Sequence, residues 1–210
     1  MSERRFHRVL AAAALCGAVV IGLEGCVGLL FGGAITGAMA AADRRTLGAQ
    51  TEDKTIVVKG EARMHQLFGD DAHINVNSYN RRVLLTGEVK DDAMKQSAER
   101  EAKALDNVAS VINELEIAGL SGMTARSSDA LITGKVKAAL VDNKQISASI
   151  VKVVTERGAV YLMGLVSDRE GAIAAEVTRG VGGVQKVVKV FEYIPEEEAE
   201  KFSHPQPASK

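Results

Sequence analysis

The chain has 210 residues, of which 46 % are apolar and 25 % are charged, and its formal net charge at pH 7 is −1. That composition is typical of a globular protein, and the balanced charge and absence of tryptophan argue against a nucleic-acid partner. The two cysteines are Cys16 and Cys26, so residues 27–210 cannot form a disulfide bond or a zinc site with thiolate ligands.

The N-terminus has the pattern of an export signal. Three arginines within residues 1–8 precede an apolar run over residues 9–23. A basic start followed by an apolar stretch of this length predicts a signal peptide, since a membrane-spanning helix needs more apolar residues. We predict a signal peptide over residues 1–25, and the alternative is an uncleaved anchor helix.

The apolar run leads into a cysteine, and Leu23-Glu24-Gly25-Cys26 resembles the lipobox of bacterial lipoproteins. That resemblance implies a diacylglyceryl group on Cys26, cleavage before it and acylation of the new amine, although Glu24 departs from the usual small or apolar residue. Three acyl chains would hold the protein firmly on a membrane. The enterobacterial sorting rule, applied to Val27, implies the outer membrane on its periplasmic face.

Residues 26–50 are predicted to form the lipidated cysteine and a flexible tether. The stretch 27–42 is small and apolar, and as a helix it would span about 24 Å, less than a bilayer core. Its glycines are also spaced four apart, as in helices that pack within a membrane, which is the alternative interpretation.

The rest of the chain repeats itself at an offset of about 77 residues. Four blocks align in the same order, which indicates a duplication: Asp53 and Ile56 with Asp129 and Ile132, 74–76 with 151–153, 83–89 with 160–166, and Val108, Val111 and Ile112 with Val184, Val187 and Val188.

Each copy is predicted to run helix, strand, strand, helix, strand. Apolar periodicity and turn residues place these elements at 53–67, 73–79, 83–89, 92–105 and 111–117 in the first copy, and at 128–142, 150–156, 160–166, 169–180 and 187–193 in the second. Asp91 and Asp168 are predicted to cap the second helices.

The fold class is therefore α+β, with two tandem domains, each α-β-β-α-β. In each domain an antiparallel hairpin and a right-handed crossover give a three-stranded mixed sheet covered by two helices. We place the domains at 51–120 and 124–194, and we expect a disordered tail at 195–210, which is acidic and then contains proline.

The helix, the V-x-L-x-G-x-V hairpin, the capped helix and the V-x-x-V strand resemble the BON domain, a family found in bacterial periplasmic and outer-membrane proteins. With a lipobox and two copies, the architecture resembles outer-membrane lipoproteins with two BON domains. The resemblance runs from Cys26 to about Ile194, and its most specific stretches are 43–50 and 153–166.

The first helix of the second copy carries the candidate site. Ile132, Val136, Ala139 and Leu140 share the face that a sheet would cover. A second stripe lies on the opposite face, next to Lys135 and Lys137. Apolar side chains beside lysines suit a helix that lies on an anionic bilayer. The predicted phospholipid-binding residues are Leu131, Gly134, Lys135, Ala138 and Val141.

The family resemblance also implies anionic phospholipid at this helix, although Leu131 stands where enterobacterial relatives have an aromatic residue. The alternative is that the stripe packs against the first domain. Gly87 and Gly164, which match between the copies, are interpreted as a bulge or a close approach to a helix rather than as a partner surface.

Nothing in the sequence indicates an enzyme, a cofactor or a metal site. His65 has no partner at metal-ligand spacing, and no phosphate-binding loop or nucleophile elbow occurs. The first hypothesis is an outer-membrane lipoprotein that binds anionic phospholipid and supports envelope integrity. The second is an adaptor for outer-membrane assembly or cell-wall-cleavage machinery, including amidase regulators; a hydrolase comes third.

Overall fold

The computed structural model describes residues 43–203, and these form two domains of the predicted topology. In the first domain, helix α1 (Leu47–Phe68) is followed by strands β1 (His73–Tyr79) and β2 (Arg82–Val89) and helix α2 (Asp92–Lys103). The third strand is divided into β3 (Ser110–Asn113) and β4 (Glu116–Ile117), both parallel to β2. Strands β1 and β2 form the antiparallel hairpin, so the predicted mixed sheet is confirmed.

The second domain repeats this order. Helix α3 (Met123–Asp142) precedes strands β5 (Val151–Glu156) and β6 (Ala159–Val166), helix α4 (Asp168–Arg179) and strand β7 (Lys186–Tyr193). Strand β6 lies between the other two, antiparallel to β5 and parallel to β7. A last helix, α5 (Glu196–Ser203), follows the sheet.

Alternation along the central strands explains why helices cover one face of each sheet. In β6, Val160 and Leu162 point to the same face and pack with the helices of their own domain in one apolar cluster. The matching cluster of the first domain includes Val83 and Leu85 from β2. Each domain therefore has its own core between a sheet and two helices.

The other faces of the two sheets pack against each other. Tyr79 and Leu84 of the first domain form one buried cluster with Tyr161, Met163 and other residues of the second. The polar contacts around this cluster are nearly two-fold symmetric: Asn80 bonds to Glu192, and the matching Arg157 bonds to Glu116. Because all three apolar clusters lie within residues 43–203, a fragment of residues 43–210 retains the whole of this packing.

A buried aspartate on the first helix of each domain holds the hairpin turn. Asp53 accepts backbone hydrogen bonds from Asn80 and Arg81, two non-glycine residues with positive φ. Asp129 does the same for Arg157 and Gly158. These bonds explain why an aspartate recurs in a helix face that is otherwise apolar, since they stabilise a left-handed turn that suits two-residue hairpins.

The matching glycines of the hairpins are required by a close backbone approach. A Cβ on Gly87, whose φ is +116°, would lie 1.9 Å from the carbonyl oxygen of His73, and one on Gly164 would lie 2.5 Å from that of Ile150. The neighbour of Gly87 is the first residue of the preceding hairpin strand, and the neighbour of Gly164 is the last residue of a short 3-10 helix (Ala148–Ile150) before that strand. The close approach is therefore to backbone at the start of the hairpin and not to a helix that covers the sheet.

Several predicted boundaries also need correction. Ser167, not Asp168, caps α4, because its hydroxyl accepts from the amide of Glu170 and the Glu170 side chain completes a capping box. Asp91 caps α2 as predicted. Helix α1 begins at Leu47, six residues earlier than expected, because Thr46 caps it.

Two segments that we predicted to be unstructured are ordered in part. Within the expected tether, Arg44 is 7 % exposed and bonds to the second domain. Within the expected disordered tail, α5 forms with Ala199 only 2 % exposed, and Arg169 of α4 pairs with Glu196 at its start. Residues 26–42 of the tether and 204–210 of the tail lie outside the described residues.

Candidate functional site

Helix α3 presents two opposite faces, one to its sheet and one to solvent. Ile132, Val136 and Leu140 are buried in the core of the second domain, as predicted. On the opposite face, Leu131 and Val141 are 68 % and 63 % exposed. Because the helix has 20 residues, its outer face is about 30 Å long.

All five predicted phospholipid-binding residues lie on this outer face. Besides Leu131 and Val141, they are the exposed Gly134, Lys135 and Ala138. The alternative that this stripe packs against the first domain is wrong, because the first domain is docked on the sheet and not on α3. We call the exposed residues Met123, Leu131, Gly134, Ala138 and Val141 the α3 stripe.

Met123 is a residue of the stripe that the sequence analysis missed. It is 77 % exposed and occupies the same angular position on the helix as Val141, five turns away. Sequence periodicity predicts a helix that starts at residue 128, which leaves Met123 in the linker. A longer helix with the same period would have included it.

Lysines flank the stripe on both sides. Lys135 and Lys137 are exposed, and neither ammonium group forms an ion pair with any residue from 43 to 203. A groove of about 660 Å³ opens beside Leu131 and Lys135, and Arg157 lines it from the β5–β6 turn. Two cationic side chains therefore face the space beside the apolar stripe.

A second polar feature lies between the two domains. Nδ1 of His73 is 2.9 Å from Oε2 of Glu88 and 4.0 Å from Oε1 of Glu156. Suitable ligand atoms of these three residues all lie within 4.8 Å of one another. The sequence predicts no metal site, since His65 stands alone on its helix. His73 is the histidine that meets two carboxylates, which sequence spacing did not indicate.

The two carboxylates of this cluster differ in pKa. Burial alone would raise the pKa of Glu88, but hydrogen bonds from His73 and Ser121 outweigh it, and the net pKa is lowered. For Glu156 burial prevails over the hydrogen bond from Asn75, and the pKa is raised.

A buried ion pair fastens the chain N-terminal to α1 to the second domain. The guanidinium of Arg44 donates to both carboxylate oxygens of Glu170, at 2.6 and 2.7 Å, and to the carbonyl oxygens of Leu165 and Ala199. The side chains of Arg44 and Glu170 are only 2 % and 7 % exposed. We call this arrangement the Arg44 clasp.

The predicted lipid-attachment residue, Cys26, lies outside the described residues, as does the signal peptide over residues 1–25. Among residues 43–203 no helix combines the length and the apolar character that crossing a bilayer requires.

Comparison with known proteins finds the same organisation in two copies of one domain. A family model described as the BON domain matches residues 57–119 and 128–195. Outer membrane lipoprotein DolP of Haemophilus influenzae is 35 % identical over 184 residues, covering 87 % of this chain and 95 % of that protein. A 21 kDa hemolysin of Actinobacillus pleuropneumoniae is 36 % identical over 155 residues, 72 % of this chain and 79 % of that protein. Osmotically-inducible protein Y of Escherichia coli is 30 % identical over 117 residues, 54 % of this chain and 58 % of that protein.

Proposed function

Because the chain belongs to the BON-domain family and carries two copies of the domain, we propose that it is an outer-membrane lipoprotein that binds anionic phospholipid through α3. The localisation is supported by the relative named as an outer membrane lipoprotein, which matches across 95 % of its length. Anchoring through Cys26 on the periplasmic face and a role in envelope integrity are parts of the same proposal.

The observation that carries the lipid proposal is the exposure of the α3 stripe. A helix that covers a sheet needs only one apolar face, yet α3 has a second, with Leu131 68 % exposed. Burying such a leucine in the headgroup boundary contributes roughly 1.5–3 kcal/mol. A contiguous patch of exposed apolar side chains on a protein surface typically marks an interaction site.

The charges beside the stripe favour an anionic bilayer over a neutral one. Each lysine near an anionic surface contributes about 1 kcal/mol, and Lys135 and Lys137 are exposed on opposite sides of the stripe. Within the groove, Lys135 and Arg157 offer donors for a headgroup phosphate. Apolar insertion and phosphate contact can thus occur together.

The test is co-sedimentation of residues 43–210 with vesicles that contain phosphatidylglycerol. Leu131→Glu should weaken binding by about 10- to 100-fold, since it removes the buried leucine and adds a repelled charge. Val58→Glu is the matched control, because Val58 is also 68 % exposed but lies on α1 of the first domain.

Equal binding by Leu131→Glu and the parent fragment would refute the site. If the fragment ignores vesicles altogether but captures proteins of the outer-membrane assembly or cell-wall-cleavage machinery, the adaptor hypothesis takes its place. Circular dichroism of each variant shows whether the fold is retained, and it should be, because both substitutions are at exposed positions.

A further inference from the structure

The His73–Glu88–Glu156 cluster draws its members from both domains. His73 begins β1, Glu88 lies near the end of β2, and the two residues are paired across the hairpin. Glu156 ends β5 in the second domain and comes to the same point because the two sheets are packed together. The cluster therefore exists only when the domains are docked.

The cluster holds more negative than positive charge. The side chains of Glu88 and Glu156 are 0 % and 8 % exposed, and the buried Asp129 accepts a hydrogen bond from the backbone amide of Arg157, the residue after Glu156. Arg157 is the guanidinium beside them, 3.5 Å from Glu88, but it also pairs with Glu116 at 3.0 Å. Pairing with a cation or binding to a metal stabilises buried carboxylates, and this group has room for further positive charge.

The fold itself does not require ionisable residues at these positions. The hairpin registers pair Ile74 with Gly87 and Val151 with Gly164, so equivalent residues of the two domains differ by 77 in number. By that correspondence His73, Glu88 and Glu156 match Ile150, Leu165 and Tyr79 respectively. The matching position of the other copy thus carries an apolar or aromatic residue in each case. The three ionisable residues occur together at one of the two equivalent places in the interface.

We propose that His73, Glu88 and Glu156 bind one divalent transition-metal ion, with zinc the metal that best fits these ligands. Imidazole nitrogen and carboxylate oxygen are both ligand types that zinc accepts, and three protein ligands leave the fourth tetrahedral position for water. Tetrahedral zinc at its usual bond lengths sets ligand atoms about 3.4 Å apart, and the ligand atoms here lie within 4.8 Å of one another. Coordination through Nδ1 leaves the imidazole proton on Nε2, so the side-chain amide of Asn75, which lies 3.4 Å from Nε2, then donates to Glu156 alone.

The surroundings supply the outer hydrogen bonds that hold metal ligands in place. The backbone N–H and hydroxyl of Ser121 donate to Glu88, and the side-chain amide of Asn75 donates to Glu156 at 2.7 Å. Such contacts orient carboxylates toward a metal. His73 also lines a groove of about 280 Å³, which gives an ion access from solvent.

Because two ligands belong to the first domain and one to the second, the bound ion joins the domains. It stabilises the docked arrangement over any state in which the sheets separate, since an ion that binds one state alone shifts the equilibrium towards it.

The experiment is calorimetric titration of metal-free residues 43–210 with zinc chloride at pH 7.5. We expect one zinc per chain and a higher midpoint of thermal unfolding with zinc present. His73→Gln and Glu156→Gln should each weaken binding at least about tenfold. His65→Gln is the matched control and should bind as the parent does, since His65 lines the same groove as His73 but is not one of the three ligands.

Absence of binding, or binding that is unchanged in both His73→Gln and Glu156→Gln, overturns the proposal. If a variant fails to fold, the proposal is tested on the unaltered fragment by its absorption spectrum with cobalt. Cobalt should give the visible absorption of a four-coordinate site, zinc should abolish it, and a spectrum identical to that of aqueous cobalt also overturns the proposal.

Discussion

Removal of the Arg44 side chain should lower the free energy of unfolding strongly, because Arg44 and Glu170 form a buried ion pair. Arg44→Met deletes the guanidinium but keeps much of the apolar stem, so Glu170 remains buried with a hydrogen bond from the amide of Ser167 at 2.9 Å. Removing one partner of a buried ion pair typically costs about 3–5 kcal/mol, because the other charge is left uncompensated. We expect a loss of that size in the free energy of unfolding.

The assay is urea-induced unfolding of residues 43–210 followed by circular dichroism. Arg63→Met is the matched control, because Arg63 bonds to Glu101 at 2.8 Å but the two side chains are 39 % and 30 % exposed. Exposed pairs contribute about 0–1 kcal/mol. If Arg44→Met loses no more stability than Arg63→Met, the clasp does not hold the second domain to the chain before α1.

The same pair gives a pH dependence with a definite sign. Burial alone would raise the pKa of Glu170, but hydrogen bonds from Arg44 and the Ser167 amide outweigh it and lower the pKa in the folded protein. A carboxyl group whose pKa is lower in the folded protein than in the unfolded chain stabilises the fold at pH values above the unfolded pKa of about 4.3. This stabilisation is lost as the pH falls through the folded pKa. The stability difference between the parent fragment and Arg44→Met should therefore be smaller at pH 3 than at pH 7.

The remaining predictions concern paired positions. Gly87→Ala should destabilise the protein strongly, because the new Cβ would lie 1.9 Å from the carbonyl oxygen of His73. Gly134→Ala should stabilise it by about 0.5–1 kcal/mol, since no atom lies within 4 Å of the new Cβ. Leu140→Ala should cost about 2–5 kcal/mol and Val141→Ala no more than about 0.5, because Leu140 is 1 % and Val141 63 % exposed. Urea unfolding measures all four; a stable Gly87→Ala or equal losses at 140 and 141 would contradict the packing.

The domain fold was predictable because local patterns and the duplication agree. The two copies repeat an alternating hairpin and an amphipathic helix, and the rules for hairpins and crossovers predict the topology that the structure confirms. The family resemblance agrees with it. The exposed face of α3 was also predictable, because a helix that packs on a sheet can bury only one side, and α3 has apolar residues on two.

The docking of the two domains was not predicted, although β6 carries a signal for it. Its sequence is apolar on both faces, as in Tyr161 and Leu162, and a strand of that kind is covered on both sides. Packing of the α3 stripe against the first domain was only the alternative to lipid binding, and no docking surface was predicted on either sheet.

Contacts between residues that are far apart in the sequence could not be predicted from the spacing of residues along the chain. Arg44 and Glu170 are 126 positions apart, and Asn75 and Glu156 are 81 apart. No local period links such pairs, and they meet only because the sheets are docked. Comparison of the two copies offers a partial signal, since His73 and Glu88 are ionisable where the other copy is apolar.

The central claim is that the α3 stripe enters an anionic bilayer, and a tryptophan reporter tests it most directly. The chain has no tryptophan, so Leu131→Trp and Val58→Trp each create a single fluorophore at an equally exposed site. With phosphatidylglycerol vesicles, the account predicts a blue shift and quenching by brominated acyl chains for Leu131→Trp alone, both weaker at high salt. Unshifted emission of Leu131→Trp in the presence of these vesicles would contradict it.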